Sequence, residues 1–414
     1  MTQPLAVASQ LLRGATLAVL LLAAGCTTVL VRSAVPEEAI ETAAPYGIDT
    51  GQVRLWGDSL SGEMVEFVRQ SRTAAFSQAN AEDIAAGRTI ENDIIAFSGG
   101  GPDGAFGAGL LAGWTARGDR PEFHLVTGVS TGAILALYAY LGPEYDETLR
   151  EIYTTFETDD LVTPAIFAGL TAGTALLDAR GYRDLIERYI DDAIIAKLAE
   201  EHRKDRILLL GTTNIDASRP VIWNIGAIAD SGHPQAKRLI HDVIQASSAI
   251  PAAFPPVLIP VIADGKRHDE MHVDGGATAQ VVLFSPQLRF RDLDEALEVQ
   301  VNRRIWIVIN NQLKKPYGPV RPRVFSIAAK AASSLIGGSG NGDVYRIFAI
   351  AQRDGADLNI VSIPRSFALV ADEPFDPAYM GALYDLGAQI GLEGESWNAY
   401  PPDFAPPLEA AEGS

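Results

Sequence analysis

Short apolar runs rich in β-branched residues recur along this chain, each closed by a turn and most followed by a longer amphipathic or small-residue segment. By period and length the short runs predict strands and the long ones helices. Asp93–Ser98, Arg206–Asp216 and Arg304–Asn310 read as buried strands, with Pro220–Ile225 as a partner to the second and Leu358–Ile363 as a further strand. Ala105–Arg117 is an alanine-rich helix, another runs from about Gln235 to Ser247, and Pro377–Gly391 holds a third. Residues 143–205 are mostly helical and charged, with Tyr182–Ile190 at amphipathic spacing. Val257–Ile262 and Asp269–Val273 predict two strands joined by a hairpin at Ala263-Asp264-Gly265-Lys266. Between Ser326 and Arg353 the pattern predicts a helix, a glycine-rich loop at Gly337–Gly342 and a second helix. The organising stretch is Phe123–Leu141, where a strand-like run breaks at Gly128-Val129-Ser130-Thr131-Gly132 and resumes as a helix.

The ends of the chain differ from this middle. Arg13 precedes an apolar run, Ala15–Ala24, too short to span a bilayer and of the length of a signal-peptide core. Next, Ala23-Ala24-Gly25-Cys26 resembles the cleavage box of bacterial lipoproteins, in which the cysteine is lipidated and becomes the mature N-terminus. One position departs, since Ala23 stands where that box usually has leucine. The resemblance implies a signal peptide over residues 1–25, lipidation at Cys26 and a lipid-anchored protein of the bacterial cell envelope, on the outer membrane or its periplasmic face. An ordinary secretory signal with an incidental cysteine is the alternative. Residues 26–90, interrupted by Pro36, Pro45 and Gly47, read as a tether and helical lead-in. Residues 91–395 form the main domain, and the proline-rich, acidic 396–414 read as a disordered tail.

Composition narrows the classes of function. With 414 residues, 47% of them hydrophobic, the chain can bury a large core. Its net charge of −19 argues against nucleic acid, and against docking on anionic lipid through a basic patch. Cys26 is the only cysteine, so no internal disulfide can hold the domain.

Candidate chemistry gathers at three glycine-flanked turns. Ser130, between Gly128 and Gly132, has the G-x-S-x-G spacing of a nucleophile elbow, where neighbours without side chains let strand and helix approach. Upstream, a strand ends in Gly99-Gly100-Gly101-Pro102-Asp103-Gly104 and a helix begins, the arrangement that leaves backbone N–H groups facing an anion. The same glycines satisfy a dinucleotide fingerprint, but the next strand ends in Gly128-Val129-Ser130 and lacks the acidic residue that would hold a ribose. A phosphate loop would need lysine where Ala105 stands, so no nucleotide is expected. The third turn is Asp274-Gly275-Gly276, which in isolation is only a turn. The pairs Asp159-Asp160 and Asp191-Asp192 have no converging ligands and read as surface pairs, not a metal site.

A serine hydroxyl needs a base. All six histidines precede Asp274, so the chain order serine, acid, histidine of α/β-hydrolases cannot use Asp274 as its acid. A triad of an earlier acid such as Asp216 with His268 or His272 stays open, and a carboxylate acting directly on Ser130 is the simpler alternative.

Taken together, Gly99-Gly-Gly-x-x-Gly104, Gly128-Val-Ser-Thr-Gly132 and Asp274-Gly-Gly276, with Ser-Ala-Ile-Pro-Ala-Ala-Phe-Pro-Pro between the last two, resemble the patatin-like phospholipase family over roughly residues 93–310. The resemblance implies an α/β fold, a three-layer α/β/α sandwich with a mostly parallel central sheet. It implies Ser130 as nucleophile, Asp274 as general base and the amides of Gly99, Gly100 and Gly101 as oxyanion hole, with Gly104, Gly128, Gly132, Gly275 and Gly276 as motif glycines. The expected activity is acyl transfer from a lipid ester, a phospholipid or related substrate, to Ser130 and then to water, without cofactor or metal. Asp103 departs from the family, which often has Arg or Lys there. An esterase for other acyl esters, or a non-catalytic envelope protein that binds lipid or a partner, are the competing readings.

Overall fold

A computed structural model describes residues 32–48, 53–164, 175–314, 319–320, 322 and 324–404. The Ala15–Ala24 run, Cys26 and residues 405–414 lie outside the described residues. The strands in chain order are β1 (Ala44–Pro45), β2 (Arg54–Trp56), β3 (Ile90–Phe97), β4 (Leu125–Val129), β5 (Thr163–Pro164), β6 (Leu177–Asp178), β7 (Ile207–Asn214), β8 (Arg219–Asn224), β9 (Val257–Ala263), β10 (Lys266–Asp274), β11 (Val301–Ile309) and β12 (Asp357–Ser362). Six helices recur below: α1 (Gly62–Ala79), α2 (Gly104–Arg117), α3 (Thr131–Leu141), α4 (Ala236–Ser247), α5 (Val324–Asp354) and α6 (Pro377–Glu393).

The main sheet runs β1-β9-β10-β7-β4-β3-β11-β12, with β8 on β7 and β2 on β8. Its centre, β7-β4-β3-β11-β12, is parallel, and the β8, β9 and β10 side is antiparallel. Strand alternation sorts the apolar residues into two cores: Ile95 and Phe97 of β3 pack with α2, α3, α4 and α6, while Ile94 and Ala96 face Val344, Ile347 and Ala351 of α5. Helices thus cover both faces, giving the expected three-layer α/β/α sandwich.

Two segments read as loose in the sequence are built in. β1 pairs with β9 and β2 with β8, so the lead-in adds to the antiparallel side of the sheet. At the other end Asn398 pairs with Ile360 of β12, and Tyr400 and Phe404 pack on Phe348, so the tail is docked through residue 404. A third reading is corrected: the glycine-rich loop expected at Gly337–Gly342 is the middle of the continuous helix α5. Glycine lowers helix propensity by about 1 kcal/mol per residue, but burial of Val344, Ile347 and Ala351 on the sheet outweighs that local preference.

Helices α2 and α6 meet backbone to backbone. A Cβ on Gly109 would lie 1.9 Å from the Tyr384 carbonyl oxygen, on Gly113 2.0 Å from that of Ala388, and on Gly387 2.1 Å from that of Phe106. Gly113→Ala is therefore expected to push the helices apart and lower stability by about 1–3 kcal/mol, read as a fall in the urea midpoint.

Candidate active site

Two strands meet end to end at the site. β4 runs parallel to β7 and ends with Val129 opposite Gly211, while β10 runs antiparallel to β7 and ends with Asp274 opposite Thr212. Since β8 pairs with both Gly211 and Thr212, it occupies the other edge of β7 there. The carboxyl ends of β4 and β10 therefore face each other one register position apart, which brings Ser130, the residue after β4, against Asp274.

Ser130 stands on a sharp turn at φ 57° and ψ −127°, a conformation that costs an L residue on the order of 1–3 kcal/mol. Packing enforces it. A Cβ on Gly128 would lie 2.0 Å from the Gly132 carbonyl oxygen, and one on Gly132 2.5 Å from that of Phe97, so only glycine fits on either side of the elbow. The Ser130 N–H donates to Ser247 Oγ at 2.9 Å, and that hydroxyl donates to the Gly211 carbonyl at 2.7 Å. Tyr153 donates to the Thr131 carbonyl at 2.8 Å and closes against Gly104, where a Cβ would meet Thr131 Oγ1 at 2.2 Å. The N-terminus of α3, with its positive dipole end, begins at this turn.

Ser130 and Asp274 are both buried, and the serine hydroxyl lies near enough to the Asp274 carboxyl to favour its ionised form. The Gly276 N–H donates to Asp274 Oδ1 at 2.7 Å. Burial raises the carboxyl to about 6 against the opposing pull of the Ser130 hydroxyl and the Gly276 amide. A Cβ on Gly275 would lie 2.5 Å from the Gly211 carbonyl oxygen, and one on Gly276 2.0 Å from Gln280 Nε2, so this turn too is shaped by close contact.

Across from the elbow lies the glycine loop. The Gly99 N–H donates to the Gln280 carbonyl at 3.3 Å, which leaves Gly100 and Gly101 as the amide donors of the expected trio without a backbone acceptor among the described residues. Gly101 has φ 59°, and Gly100 abuts Asn310, whose carbonyl oxygen would be 2.2 Å from an added Cβ. Asn310 in turn donates its backbone and side-chain N–H groups to Ser98 Oγ and the Ser98 carbonyl. Asp103 accepts from the Tyr379 hydroxyl at 2.7 Å, beside a hollow of about 510 Å³ lined by Pro102, Leu369 and Val370.

The histidines are engaged elsewhere. His272 lies buried between Glu270 at 3.0 Å and Thr212 at 2.9 Å, in a network that includes Arg54. His268 contacts Ser33 and the Ala34 carbonyl, and Asp216 pairs with Arg32, so the pieces of the alternative triad are not assembled. Asp160 and Asp191 cap backbone N–H groups and Asp192 pairs with Lys237, as surface residues do.

Three contributors were not singled out from the sequence: Ser247, Gln280 and Asn310. A signal existed for Ser247, a polar residue on the buried stripe of α4 with Leu239, Ile240, Val243 and Ile244. Gln280 joins two of the turns by donating to the Gly276 carbonyl at 3.2 Å, and its own N–H is held by Asp343 of α5 at 2.7 Å. Ser247→Ala is expected to leave the buried Ser130 amide without an acceptor, lowering stability by about 1–3 kcal/mol and activity with it, checked by denaturation alongside ester hydrolysis.

A three-layer α/β/α sandwich with a serine on a strained strand-to-helix elbow defines a class of hydrolase-like architecture. Within it, residues 95–284 match the family model described as patatin-like phospholipase. The chain thus carries a patatin-like phospholipase domain, and that domain implies a hydrolase acting on lipid esters. The comparison with curated proteins returned no match. Among solved structures, the chain is similar to VipD from Legionella pneumophila at 12% identity and a TM-score of 0.36, over 76% of this chain and 68% of that one, a likeness too distant to bear on function.

Proposed function

We propose that this protein is a serine acyl hydrolase that cleaves acyl esters of phospholipids or related lipids through Ser130 and Asp274 alone. The observation that carries this reading is the meeting of the buried Ser130 hydroxyl and Asp274 carboxyl where β4 and β10 end, with His268 and His272 bonded elsewhere. Asp274 takes the proton as Ser130 Oγ attacks the ester carbonyl, and the amides of Gly100 and Gly101 receive the developing oxyanion. The alcohol leaves with that proton. Water then attacks the acyl-enzyme, again deprotonated by Asp274, and the fatty acid is released.

Two tests bear on it. Incubation with a fluorophosphonate, followed by peptide mass spectrometry, should place the adduct on Ser130; an unmodified Ser130 in folded protein would favour the lipid- or partner-binding reading. His268→Ala should keep most of the hydrolytic activity, because that ring lies among exposed contacts of the lead-in. A collapse of activity in this variant would reinstate a histidine base.

Asp103 bears on the substrate. A carboxylate beside the hollow disfavours an anionic headgroup there, so neutral or zwitterionic lipids and uncharged esters should be cleaved in preference to anionic phospholipids. For the location we retain lipidation at Cys26 and anchoring in the bacterial envelope as part of the proposal. Cys26→Ser should move the protein from the detergent phase to the aqueous phase in a partition assay.

A further inference from the structure

The second face of the sheet is incompletely filled. Between it and α1 lies a cavity of about 520 Å³, walled by Ile94, Leu125 and Leu209 from the strands and by Val65, Val68 and Phe76 from the helix. Protein interiors are close-packed, yet α1 buries only Phe76 of its 18 residues and rests over this hollow without filling it. Its size is that of a preformed small-molecule site, with apolar walls inside a border of polar and charged side chains.

It is separate from the catalytic turn. Leu125 and Ile207, both in its wall, are the first residues of β4 and β7, whereas Ser130 follows the last residue of β4. At the rise of a strand, the five steps from Leu125 to Ser130 place them roughly 17 Å apart.

Charge indicates the ligand. In a chain of net charge −19, the cavity is bordered by Arg54, Arg69, Arg72, Lys204, Arg289 and Arg303 against two carboxylates, Asp205 and Asp292. Arg54, Arg72 and Arg303 are paired with Glu270, Asp205 and Asp294, and Arg69 and Lys204 with helix-surface glutamates. Arg289 is exposed and makes no ion pair among the described residues.

We propose that this cavity binds a long-chain fatty acid, its chain along the sheet face beneath α1 and its carboxylate at Arg289. The ligand has the chemistry of the product that the catalytic reading releases, and only that link rests on the reading. The geometry of the cavity does not.

The test is a titration of the full chain with oleate and with oleyl alcohol, after Ser130 has been phosphonylated to close the catalytic site, or in Ser130→Ala. Oleate should bind saturably in both forms. Val68→Trp, which fills the hollow, should weaken oleate by at least about tenfold. Arg289→Glu, an exposed change that leaves the apolar wall intact, should weaken oleate by about tenfold and leave the alcohol unaffected. Absence of saturable binding overturns the proposal, as does binding that vanishes on phosphonylation or is indifferent to both substitutions. Because neither form hydrolyses esters through Ser130, failure here is distinct from failure of the catalytic assignment.

Discussion

Replacing Ser130 by alanine is expected to reduce hydrolysis of a short acyl ester by on the order of 10³-fold or more while the fold persists. Alanine keeps the Cβ and the left-handed backbone of the elbow, and its N–H still reaches Ser247. What disappears is the oxygen that would form the acyl-enzyme, and with it the polar neighbour of the Asp274 carboxyl. The assay pairs initial rates with a thermal unfolding curve on the same preparation. A variant that melts normally and still hydrolyses the ester would remove Ser130 from the mechanism.

The second large effect is expected at Asp274, and it separates activity from stability. A base must be ionised to accept the serine proton, so kcat/KM should rise with pH through about 6, where the buried carboxyl titrates. Asp274→Asn should lose hydrolysis on the scale of the serine variant and show no such rise. Stability moves the other way. The folded carboxyl holds its proton up to about 6 whereas the unfolded one releases it near 3.8, so between these values the native state binds more protons and the fold weakens as pH rises. Above about pH 6 the ionised carboxylate disfavours the fold by on the order of 3 kcal/mol. Asp274→Asn should therefore be more stable than the parent at pH 8, with the difference shrinking as pH falls and vanishing below about pH 4. Chemical denaturation at the two pH values reads it directly. Equal stability at both would mean that the carboxyl is not held in the environment described.

Such an opposition is what the proposed role of Asp274 as base requires, burial tuning its proton affinity for reaction and not for folding. The strained backbone of Ser130 belongs to the same account: an unfavourable conformation persists because Gly128, Gly132 and Ser247 leave no alternative.

Much of the site was legible along the chain because its parts are local. A serine between two glycines, a glycine loop opening a helix and an Asp-Gly-Gly turn each announce themselves within a few residues, since the steric demand for glycine acts over that distance. Ser247, Gln280 and Asn310 carried no such signature. Each is an ordinary polar residue whose role depends on a partner far away in sequence, namely the Ser130 amide, the Gly99 loop and Ser98. The α5 glycines misled for a related reason, because local propensity spoke for a loop and contact with the sheet made a helix.

Sequence alone determined the alternation of strands and helices, the three turns and their order, since these follow from side-chain period and backbone sterics within short windows. Only the tertiary structure decided that β4 and β10 end against each other on one edge of β7, and so that a serine and a carboxylate distant in the chain come to lie side by side. Strand register is set by the packing of whole faces, which no local window contains.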